Sequence, residues 1–166
     1  MKRTESGNPT YLGLLNTISL AESRAYRYLT EWASITTDPE VREVLLKVAA
    51  REGEHGMAFA KRINELGYHV RPKTDVGDDT REDTAMDIVR SDRSDLEKLE
   101  ALGLEKLDTG DEPDVFDGFF RDHTIDIATG ELLGRYIAEE RDTARLLRGC
   151  YERLRTRAPA EPVSAG

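Results

Sequence analysis

Apolar residues recur at steps of three and four over most of this chain, the spacing of one helix face. Leu15, Ile18, Ala25, Leu29 and Trp32 share one stripe and predict a first helix from Pro9 or Thr10 to about Ile35. Val41, Leu45, Val48, Phe59, Ile63 and Leu66 predict a second, from Pro39 to about Leu66, with Gly67 as its stop. Between them, Asp38 is placed as N-cap and Pro39 at the first helical position. A link this short makes the two helices antiparallel neighbours. Residues 68–80 lose the period at Pro72, Gly77 and the Asp78-Asp79 pair, and read as a loop suited to a long crossover. A third stripe, Ala85, Val89, Leu96, Leu99 and Gly103, lies within residues 81–107; the run from Ser91 to Glu97 resembles a fresh capping box, which would divide that helix in two. After a second break at Gly110 and Pro113, Leu133, Ile137, Ala144, Leu147, Tyr151 and Leu154 predict a helix in some or all of residues 114–157. The expected fold is all-α: an antiparallel four-helix bundle with one long crossover between its second and third helices. Residues 9–157 form its single domain, and the Pro- and Ala-rich residues 158–166 are expected to be a disordered tail.

Polar residues interrupt these stripes at four informative places. Glu22 falls in the middle of the first stripe, Glu52 and His55 in the second, and Glu140 in the last. Glu52 and His55 are one turn apart, so they project from one face. A carboxylate and an imidazole aimed into an apolar interior are costly unless something binds them. Glu-x-x-His is how helix bundles hold metal pairs bridged by carboxylates. The two arms leading away from the Asp38-Pro39 turn are each about 15 residues long, so at ~1.5 Å per residue Glu22 and Glu52–His55 lie at the same height. Oxygen-rich sites with imidazole suit iron or manganese.

On these residues the chain resembles the ferritin-like superfamily, in particular its rubrerythrin-like and encapsulated-ferritin-like branches. Glu22, Glu52-x-x-His55 and the stretch Ile137-Ala-Glu-Glu140-Arg-Asp-Thr143-Ala carry the resemblance. It implies a four-helix bundle with a di-iron centre, or manganese in place of iron, acting in iron(II) oxidation or in peroxide or oxygen reduction. Glu22 would be a terminal ligand, Glu52 the bridge, His55 the imidazole and Glu140 a second bridging carboxylate. The resemblance departs at Thr143, where the family carries a second histidine. Either a homodimer or higher homo-oligomer completes the site, or the site is degenerate and the bundle serves as a binding or assembly module. A di-metal hydroxylase is a weaker third possibility, because nothing marks a substrate pocket.

The remaining features narrow the class. A net charge of −9 disfavours nucleic acid and anionic membranes as partners. Cys150 is the single cysteine, so no intrachain disulfide forms, and a cytoplasmic location is the default expectation. No stretch has the length of a membrane span. Each candidate also has a plainer reading. Glu-x-x-His occurs on solvated charged helices. Glu140 could pair with Arg141 or Arg145 instead of a metal. His69 and His123 read as surface or outer residues, Tyr26 and Tyr136 as core or as hydrogen-bond donors to the site, and Cys150 as a small buried hydrophobe. For the third helix, Asp92 falls on the apolar stripe, with Glu97 and Glu100 as neighbours in register.

Overall fold

The computed structural model describes residues 7–72, 84–107 and 114–157; within them the chain is helical and contains no strand. Three long helices dominate: α1, Leu12–Ile35; α2, Pro39–Glu65; and α5, Ile127–Arg157. Between α2 and α5 come two short helices, α3 over residues 84–90 and α4, Asp95–Ala101. Two 3-10 segments, Leu104–Lys106 and Val115–Arg121, lead into α5. The third helical region is thus divided where the sequence signals it. The Ser94 side chain accepts from the Glu97 amide, and the Glu97 carboxylate accepts from the Ser94 amide. Part of the expected loop, residues 73–80, and the tail, residues 158–166, lie outside the described residues.

Local chemistry sets the hairpin. Asp38 caps α2 by accepting from the amides of Glu40 and Val41, with Pro39 behind it. At the other end Gly67 takes φ of 89°, a left-handed conformation open to glycine. α1 starts at Leu12, two or three residues later than the stripe suggests, with Tyr11 at its N-cap and no side-chain cap bond. Midway along, α1 and α2 approach closely. Ser19 Oγ donates to the Gly56 carbonyl at 2.9 Å, and a Cβ at Gly56 would meet Ser23 Oγ at 2.6 Å and the Ser23 backbone nitrogen at 3.2 Å.

The core forms two apolar clusters. One gathers Leu29, Trp32, Val41, Leu45 and Val48 with Val89, Leu99, Leu147 and Tyr151, so α3 and α4 close that end. Asp95 fastens it: Trp32 Nε1 donates to one carboxylate oxygen at 2.7 Å and Thr36 Oγ1 to the other at 2.6 Å. The second cluster holds Tyr11, Leu15, Ile18, Phe59, Ile63, Leu133, Tyr136 and Ile137, with Phe116, Phe119 and Ile125 against it. Arg62 ties α2 to the start of α5 through Thr129 at 2.9 Å and Asp126 at 2.8 Å.

Gly56→Ala gains helix propensity, about 1 kcal/mol in an unconstrained helix, but must push α1 away from α2. A net destabilisation of about 1–2 kcal/mol is expected, measured as a lower urea midpoint with unchanged slope. Adding Ser23→Ala should recover part of it.

Candidate metal centre

Between the two apolar clusters lies a polar layer. Glu22 comes from α1, Glu52 and His55 from α2, and Glu140 from α5, and one potential ligand atom of each lies within 4.8 Å of the others. Glu22, Glu52 and His55 are 5%, 5% and 4% exposed. The four sequence-selected residues therefore converge within one chain. Neither Arg141 nor Arg145 takes Glu140; they pair with Asp114 and Asp142.

His55 is held from both nitrogens. Its Nδ1 lies 3.4 Å from Glu22 Oε2 and 3.5 Å from Glu140 Oε1, while Nε2 lies 2.6 Å from Glu139 Oε2. Glu139 is the residue that periodicity missed. The stripe selects one position per turn, whereas adjacent residues on α5 stand about 100° apart and can flank one imidazole reaching in from α2. The signal was the Glu139-Glu140 doublet itself. Arg135 donates to Glu139 at 3.0 Å and fixes it from the solvent side. Tyr136 donates to Glu22 Oε1 at 3.0 Å, and its ring packs edge-on against His55 and Phe59.

The other candidates fall elsewhere. Tyr26 is 45% exposed, with its ring over Gly53. His69 and His123 are exposed, and Cys150 is buried. Asp92 is exposed between α3 and α4, Glu97 caps α4, and Glu100 accepts from Tyr151. Thr143, one turn beyond Glu140, is buried and accepts from Arg51 at 3.3 Å; Arg51 also pairs with Asp142 at 2.6 Å. A guanidinium thus lies beside Thr143.

The electrostatics follow from burial and crowding. Burial, reinforced by the Glu22 and Glu140 carboxylates, pushes Glu52 up to about 11. Burial alone would pull His55 down, but the carboxylates of Glu140, Glu22 and Glu139 around it reverse this and carry it up to about 10. Glu22 feels the same desolvation, yet the donors around it, His55 first, hold its carboxyl below the ordinary value. Glu139 is lowered in the same way, by His55 and Arg135 against its own desolvation.

Comparison with protein-family models, curated proteins and solved structures found no match. The donors themselves set what the site can do. Glu52 Oε1 and Glu140 Oε1 are buried and accept no hydrogen bond from any protein group. Unpartnered carboxylate oxygens in a dry interior are costly. Both belong to the converging set, and His55 Nδ1 lies 3.5 Å from Glu140 Oε1. The chemistry of this donor set fits a divalent cation. No described helix is long and apolar enough to cross a membrane.

In the metal-free protein, the folded state keeps a proton on Glu52 and on His55 that the unfolded chain releases above their model values of 4.5 and 6.5. Both raised values favour folding at low pH, and that contribution fades as pH rises toward about 11 and about 10. Thermal denaturation of metal-free protein should show stability falling between pH 6.5 and 10, by at most about 1.4 kcal/mol per pH unit for each group. Glu52→Gln should reduce that slope.

Proposed function

We propose that this chain is a ferritin-like helical protein whose Glu22, Glu52, His55 and Glu140 hold iron, or manganese, in a carboxylate-rich centre for iron(II) oxidation or for reduction of peroxide or oxygen. The observation that carries this reading is the convergence of Glu22, Glu52, His55 and Glu140, one potential ligand atom of each within 4.8 Å of the others, with buried oxygens on Glu52 and Glu140 that accept no hydrogen bond. A bound redox metal would supply one-electron chemistry, and carboxylates favour its more oxidised, more positive state. The chain's own groups do the rest. Glu139 accepts the Nε2 proton of His55, which leaves Nδ1 free as the donor facing Glu22 and Glu140. Tyr136 orients Glu22 through its hydroxyl. The two apolar clusters keep bulk water from the layer between them. Binding a cation displaces the protons on Glu52 and His55, so uptake releases protons and strengthens with pH.

The contact of Arg51 with Thr143 favours a second reading. A fixed cation beside the layer could take the place of a second metal or of any metal, leaving the bundle as a binding or assembly module.

Anaerobic reconstitution with iron(II), followed by elemental analysis and an iron(II) oxidation assay, separates the two. The first reading expects stoichiometric iron, a raised melting temperature and oxidation that is lost in Glu52→Ala and His55→Ala. No retained metal and no thermal shift would sink it and leave the module. Under the first reading, Glu139→Gln should weaken metal affinity about 10- to 100-fold while leaving the fold intact, read by competition with a chelator.

A further inference from the structure

The converging side chains suffice for one cation and fall short of two. A metal pair in a helix bundle takes a glutamate from each of two helices and a Glu-x-x-His from each of the other two. With the Glu-x-x-His glutamates as bridges, each ion has one glutamate and one imidazole of its own. Glu22 and His55, with Glu52 and Glu140, make up the sphere of one such ion within a single chain. A second ion could share Glu52 and Glu140. It would also need a glutamate from the third helical region and an imidazole one turn beyond Glu140. Among the described residues, neither reaches the layer. Asp87 and Asp92 are exposed, Asp95 holds Trp32 and Thr36, and Glu97 caps α4. Glu100 accepts from Tyr151 at 3.2 Å, and Glu105 is met by Arg148, about two turns beyond Glu140 on α5. One turn beyond Glu140 stands Thr143, a buried hydroxyl that accepts from Arg51 at 3.3 Å. Glu139 is no substitute, because it lies on the Nε2 side of His55 and is held there by Arg135.

The distances agree with one ion. Bonds of about 2.1 Å place neighbouring donors about 3.0–3.4 Å apart and opposite donors about 4.2 Å apart. His55 Nδ1 lies 3.4 Å from Glu22 Oε2 and 3.5 Å from Glu140 Oε1. The widest separation in the set is no more than 4.8 Å, so closure onto a single ion asks for shifts of about half an ångström. Granted a cation in this layer, as proposed above, we infer that the centre takes a single divalent cation per chain. Glu52 and Glu140 are then ligands to that one ion and do not bridge. Each copy of the chain completes its own sphere, so occupancy needs no second copy.

Native mass spectrometry of the full 18.7 kDa chain, loaded anaerobically with manganese(II), counts the ions directly. One manganese per chain is expected, and titration should end at one equivalent. Electron paramagnetic resonance should show the hyperfine pattern of an isolated manganese(II), without the coupling of a pair. Glu52→Gln keeps the size of the side chain and should lose the ion with far-ultraviolet circular dichroism unchanged. His55→Ala should lose it as well. Two ions per chain, a spin-coupled signal, or one ion shared between two chains overturns the single-ion assignment and leaves the metal reading standing. An ion retained by both variants lies elsewhere and also overturns it. Wild-type protein that retains neither manganese(II) nor iron(II) sinks the metal reading, and the single ion with it.

Discussion

Desolvated charge at the centre of the helical core governs the rest of the molecule. Carboxylates from three helices and one imidazole occupy a layer between two apolar clusters. Each ion withdrawn from water costs several kcal/mol unless it is paired or bound. Within the chain, the compensation is partial. Glu22 has Tyr136 and His55, and Glu139 has Arg135 and His55, but Glu52 and Glu140 each keep an oxygen without a donor. The flanking clusters and the fastenings at each end, Asp95 at one and Arg62 with Asp126 at the other, must supply the stability that the layer consumes.

That asymmetry also explains why the two halves of the layer differ. On the α1–α2 side, the helices touch through Ser19, Ser23 and Gly56, which fixes Glu22 and His55 at contact distance. On the α5 side the contacts are longer side chains: the Glu139-Glu140 doublet, and Asp142 with Thr143 reached by Arg51. The first half is placed by backbone packing and the second by side-chain reach. Arg51 reaches Thr143, one turn beyond Glu140, and its charge is paired there with Asp142 at 2.6 Å.

The hairpin and the first half of the site were legible in the sequence because both rest on local rules. Asp38-Pro39 set the turn, the stripes set the buried faces, and equal arms set Glu22 level with Glu52. The division of the third helical region was visible in Ser94 and Glu97, since a capping box is written in four residues. Glu139 was not visible, because a 3.6-residue period chooses between neighbours and cannot assign roles to both. The start of α5 was left open because Asp126, which accepts from the Thr129 amide and hydroxyl, is held there by Tyr11 and Arg62, partners distant in sequence. The use of Thr143 as an acceptor for Arg51 is a contact between α2 and α5 that no single-helix pattern contains.

α2 carries these demands on separate faces of one helix. Its inner face holds Glu52 and His55, one flank packs against α1 at Gly56, and the other reaches α5 through Arg51 and Arg62. Glycine appears at 53 and 56, where α1 must come close, although each glycine weakens an isolated helix by about 1 kcal/mol relative to alanine. A helix so loaded gains its order from tertiary packing more than from propensity.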